Sequence, residues 1–110
     1  MAKVKPIPCG LCFEWALHYA HQHPEAIVVH GRVAEPFAQP PHRYDHAWVE
    51  HRGLVRDWQT MVVGYGGPNF AKRGYPIPTF YELYRPTKVK RYTQTEALIQ
   101  MARSGHKGPW

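Results

Sequence analysis

"HAWVEHRGLVRDWQ", residues 46–59, is the stretch from which the rest of the chain can be read. Residues 46–50 and 54–59 each carry the β-branched, aromatic and alternating character of a strand, and "HRG" between them is a turn signal. The stretch therefore reads as a β-hairpin. Side chains alternate along a strand, so the loop length decides which residues share a face. A two- or four-residue loop sets Trp48 opposite Asp57 and makes His46 a same-face diagonal neighbour of that carboxylate. A three-residue loop sends Asp57 to the other face.

Working outward, "AIVVHGRV", residues 26–33, is apolar enough for a buried strand. Before it, Phe13, Ala16, Leu17 and Ala20 recur at helical spacing. That predicts a helix opening at Cys12 and ending before Pro24, after an extended lead-in over 1–11. "EPFAQPPHRY", residues 35–44, reads as a Pro-rich loop. Residues 61–78 hold a run of Gly and Pro and read as a long irregular loop, the expected wall of a cleft. "TFYELYR", residues 79–85, predicts a short helix capped by Thr79 and stopped before Pro86. "KVKRYT", residues 88–93, predicts a strand. Thr93 and Glu96 form a capping box that opens a final helix, and Gly105 stops it. The order predicts one α+β domain over residues 1–110, with a Cys-bearing N-terminal helix on a small antiparallel sheet and a C-terminal helix.

Composition bounds what such a domain does. The chain has 110 residues, 44% of them hydrophobic, with four Trp and seven Tyr, which fits a folded core. No apolar run approaches the roughly 18 residues of a membrane span. "MAKVKPIPCG" lacks the apolar stretch of a signal peptide. A cytoplasmic protein is the expectation, and there a structural disulfide between Cys9 and Cys12 is disfavoured. The formal net charge of +6 allows a nucleic-acid or acidic partner. The charges are scattered, however, and "KVKRY", residues 88–92, reads first as an edge strand guarded by Lys and Arg.

The chemistry turns on Cys9, Cys12 and eight histidines. A structural zinc site commonly needs two Cys pairs, and there is one; His18 with His21 does not complete a zinc-finger spacing. A dithiol redox motif needs a strand feeding the helix, whereas "KVKPIP" holds two prolines. A thiol nucleophile needs a Cys at a helix start, a His on a strand and a group that orients the His. Cys12, His46 and Asp57 supply these in chain order. No metal and no cofactor is expected, and His18, His21 and His23 read as helix-surface residues. The plainer readings stand beside these. Cys12 suits a buried core, Asp57 suits a pair with Arg43, Arg52 or Arg56, and Trp48 and Trp58 suit the core before a substrate platform. Glu50 and Asp45 read as surface charges, and Trp110 as a residue that tucks the C-terminus onto the domain.

"GLCFEWA", residues 10–16, resembles the start of the papain-like catalytic helix. "HAWVE" followed by "LVRDWQ" resembles the His and Asp strands of papain-like and transglutaminase-like thiol enzymes. The wider order of "VVHGRV" (28–33), "HAWVE" (46–50), "RYTQTEA" (91–97) and "GHKGPW" (105–110) is similar to a group of small phage and bacterial proteins. The resemblance implies a minimal papain-like domain with Cys12 as nucleophile, His46 as base and Asp57 as orienting acid. It assigns Cys9 no role, which leaves a bystander, a resolving thiol or half of a regulatory disulfide. The papain-like Gln before the Cys is missing, so Gln59, Tyr44 or a second backbone N–H would complete the oxyanion hole, with Trp48 on the substrate side. "DWQTMVVGYG" after the Asp also departs from the group, which there shows Ser or Thr with Gly and Arg.

The implied activity is acyl hydrolysis or transfer (peptidase, amidase, deamidase or transglutaminase-like) on a peptide or amide substrate, a host protein among the candidates. The implied site of action is the cytoplasm, a host's if the chain is phage-encoded, with no membrane partner. The alternative is a non-enzymatic small basic phage-type protein that binds a host protein or nucleic acid.

Overall fold

A computed structural model describes residues 9–34, 42–59 and 74–110, with the backbone alone at Cys9 and Gly10. In chain order the elements are α1 (Cys9–Gln22), β1 (Ile27–Ala34), β2 (Arg43–His51), β3 (Leu54–Arg56), β4 (Tyr75–Pro76), α2 (Ile77–Tyr84), β5 (Thr87–Tyr92) and α3 (Gln94–Ser104). The class is α+β, as the element order predicts. The five strands form one antiparallel sheet in the order β4-β3-β2-β1-β5.

The hairpin sets the frame. Arg52 and Gly53 form a two-residue loop with φ of 52° and 80°. Two successive positive φ values give a turn whose twist matches the flanking strands, and Gly at the second position carries no steric cost. Val49, Glu50 and His51 then pair with Arg56, Val55 and Leu54. On its other side β2 pairs with β1 over eight residues without a break.

That register sorts side chains onto two faces. Val28 of β1 and Ala47 and Val49 of β2 join Cys12, Phe13, Ala16, Leu17 and Ala20 of α1 and Ala97 of α3 in one buried cluster. Val29, Val33 and Trp48 point the other way and pack with Val55, Tyr75, Phe80 and Tyr84 under α2. Both faces of the sheet are thus covered by helices. Polar atoms at the strand ends become buried with them, and each then needs a partner.

Several boundaries differ from the sequence expectation. α1 begins at Cys9, so Cys12 closes the first helical turn and does not open it. β2 starts at Arg43 and takes in residues read as loop. Asp57 lies one residue beyond β3, on the bend that leaves the sheet. Tyr75 and Pro76 pair with Val55 and Leu54 as a short edge strand inside the stretch read as a loop. Gly74 makes this approach possible. Its φ is +81°, and a Cβ there would run into the Val55 carbonyl.

α2 is capped by Pro76, with no side-chain hydrogen bond from Thr79, because the prolines at 76 and 78 already set the first turn. The Thr93–Glu96 capping box and the Gly105 stop of α3 are both present. β5 is the other edge strand, with Lys88, Lys90 and Arg91 exposed along it, as expected of a guarded edge. Residues 1–8, 35–41 and 60–73, which include most of the expected cleft wall, lie outside the described residues.

Candidate active site

β2 carries His46, and the bend after β3 carries Asp57. With the two-residue turn, Asp57 falls beside Trp48 and on the face of His46. His46 Nε2 and Asp57 Oδ2 lie 2.8 Å apart. Both side chains are fully buried. The pairing therefore goes to His46 and not to Arg43, Arg52 or Arg56.

A buried carboxylate must be paired or hydrogen-bonded, and the imidazole meets that need with one nitrogen. The other, Nδ1, is buried and has no hydrogen-bond partner among the described residues. The carboxylate thereby fixes the tautomer, with the proton on Nε2 and the lone pair on Nδ1.

Aromatic side chains hold the ring in place. Tyr44 meets it edge-on at 5.6 Å between centroids, and Trp48 stacks below it at 5.9 Å. Tyr44 also donates through its hydroxyl to Gln59 Oε1 at 3.2 Å. The sheet register thus collects His46, Asp57, Tyr44, Gln59 and Trp48 in one neighbourhood. Trp48 has no exposed surface, and its indole N–H donates to Glu50 Oε2 at 3.3 Å, so it is core.

Cys12 is placed differently. Its side chain is 1% exposed and belongs to the α1-face cluster with Ala47 and Val49. His46 points to the α2 face, one residue out of phase with Ala47. The β2–β3 ladder ends at Val49 and Arg56, so His46 lies beyond the last ladder pair on that flank. The side chain of Cys9 is outside the described residues.

Glu50, read as a surface charge, is largely enclosed. It accepts from the Tyr81 hydroxyl at 2.5 Å and from Arg91 Nε at 3.2 Å, as well as from Trp48. Its β2 position on the α2 face could have been read from strand alternation, but its partners come from distant elements. Asp45 pairs with Arg32 at 3.1 Å and stays half exposed.

Two further clusters escaped the sequence reading. His30 is 4% exposed, and neither ring nitrogen has a hydrogen-bond partner among the described residues. Phe13, Tyr92 and Trp110 surround it at 4.7, 5.2 and 4.8 Å between ring centroids. Burial, with Lys90 nearby, lowers its pKa to about 4. His30 lines an open pocket of about 280 Å³ together with Arg32, Lys88, Lys90 and Trp110. Trp110 does tuck the chain end onto the domain, and what it covers is this histidine. At the other end of α1, His51 bonds Tyr19 and Glu25, with His23 alongside. Only sheet register and helix docking bring these positions together, so no local motif announces either cluster.

No protein-family model, curated protein or solved structure matches this chain.

Proposed function

We propose that the chain is a thiol-dependent acyl hydrolase or acyl transferase in which the His46–Asp57 pair serves Cys12. The observation that carries the reading is the buried 2.8 Å contact from His46 Nε2 to Asp57, which leaves Nδ1 as the available base. In the scheme, Nδ1 takes the Cys12 Sγ proton and the thiolate attacks a substrate carbonyl. Collapse of the tetrahedral adduct breaks the acyl bond, and the imidazolium returns its proton to the leaving amine. Water or a second amine then gives its proton to Nδ1 and attacks the thioester, which releases the acyl product and restores the thiol. Asp57 holds the ring and balances the imidazolium charge. Tyr44, edge-on to the His46 ring, and Gln59, to which its hydroxyl donates, are the polar side chains assigned to a developing oxyanion.

The scheme makes one geometric demand. Cys12 Sγ must reach Nδ1 past the end of the β2–β3 ladder, although the two side chains root on different faces. Native-state alkylation tests it directly. In a Cys9→Ser background, iodoacetamide should label Cys12 at neutral pH, and His46→Gln should slow the labelling at least tenfold. A Cys12 that reacts only after unfolding, or at the same rate in His46→Gln, overturns the reading.

The burial of Cys12 in an apolar cluster favours a second reading, a non-enzymatic basic protein that binds a host protein or nucleic acid. A salt-sensitive mobility shift with DNA or RNA, together with an inert Cys12, would support it.

A further inference from the structure

Tyr19 and His23 face the β2–β3 hairpin from the last turns of α1 and the residue after it, and Glu25 follows on the turn. One ligand atom from each of His23, Glu25 and His51 can be chosen so that all three lie within 4.8 Å of one another. Tetrahedral ligands at zinc distances stand roughly 3.3 Å apart. Small side-chain rotations therefore suffice to close the set, and the most exposed member, Glu25, has room to make them.

We propose that His23, Glu25 and His51 form a divalent transition-metal site, with Zn²⁺ the cation that the donors suit best. The two imidazoles and one carboxylate are the donor set of three-ligand zinc centres, which leave a fourth position for water.

The surroundings of His51 are what lift the cluster above a chance grouping. His51 is 6% exposed. Tyr19 Oη lies 2.8 Å from its Nδ1, and Glu25 Oε1 lies 2.7 Å from its Nε2. A metal-bound histidine needs its second nitrogen held by an outer partner that fixes tautomer and ring orientation. Tyr19 fills that place, accepting from Nδ1–H and leaving Nε2 to the metal.

Tyr19 is itself held by its stack on His23, at 4.3 Å between ring centroids. Among the described residues the Lys or Arg paired with the carboxylate is Arg52, which reaches it only at 3.7 Å from an exposed position, so it yields readily. The site lies some 15 Å along α1 from Cys12. It does not depend on the thiol chemistry.

Cobalt(II) titration of the full chain, followed by visible absorption, tests the proposal. We expect one Co²⁺ per chain, displaced by Zn²⁺, with a spectrum free of sulfur charge transfer and unchanged in Cys9→Ser/Cys12→Ser. His23→Asn with Glu25→Gln, both at accessible positions, should weaken binding at least a hundredfold. Tyr19→Phe should weaken it by about tenfold while leaving the three ligands in place. Three results would overturn the site: no uptake, uptake untouched by His23→Asn/Glu25→Gln, or uptake lost with the cysteines.

Discussion

Two buried histidines show how much one partner changes. His46 spends one nitrogen on Asp57, whereas His30 has a hydrogen-bond partner for neither nitrogen among the described residues. Removing one member of a buried pair strands the other, at roughly 3–5 kcal/mol. Asp57→Leu should therefore lower the urea midpoint severely. Asp57→Asn, whose amide oxygen still accepts from Nε2–H, should lose far less. Similar losses in the two variants would show that the carboxylate does not hold the ring through this bond. His30 makes a pH prediction with a definite sign. Its pKa of about 4 lies below the 6.5 of an unfolded histidine, so the unfolded chain binds the proton first as pH falls. The stability it contributes is complete above pH 6.5 and is lost on the way down to about 4, by at most about 3 kcal/mol. In His30→Gln, urea midpoints between pH 7.5 and 5 should fall less steeply than in the unmodified chain. Equal slopes would mean that His30 is not held neutral.

Among the elements, β4 is two residues long, yet it brings Tyr75 and the start of α2 over the face that holds Asp57. It depends on Gly74, where the backbone is left-handed and a side chain would strike the Val55 carbonyl. Gly74→Ala should cost more than about 1 kcal/mol, since the usual gain from stiffening the unfolded chain is outweighed by strain. A neutral result by urea denaturation would mean that β4 contributes little. The same segment marks the limit of what the sequence carries. The hairpin, both long helices and the α3 capping box follow from local signals (alternation, turn residues and helical spacing), and the His46–Asp57 pairing follows only once the turn is known to hold two residues. β4 does not, because Tyr75 and Pro76, set between Gly74 and Pro78, look like loop until a neighbouring strand pairs with them. The start of α1 is hidden for a related reason: in the sequence Pro8, not a Ser, Thr, Asp or Asn cap, precedes Cys9, so the apolar spacing dates the helix only from Cys12.

Across the whole molecule, sequence-distant ends meet at His30. Phe13 comes from α1, Tyr92 from β5 and Trp110 from the chain end, and together they bury a ring whose nitrogens have no hydrogen-bond partner among the described residues. The fold could not announce this in advance, since "VHG" is only a strand motif until the C-terminal residues pack back across the sheet. The arrangement also links tail docking to a measurable charge. If Trp110 supplies the burial that keeps His30 neutral, Trp110→Ala should let water reach the imidazole and raise its pKa from about 4 towards 6.5. Lys90, which donates to the Trp110 carbonyl at 3.1 Å, stays nearby and limits how far that rise can go. A two-dimensional NMR titration of the His30 ring protons reads the change directly. An unchanged midpoint in Trp110→Ala would place the desolvation with Phe13 and Tyr92 and leave the tail no part in it.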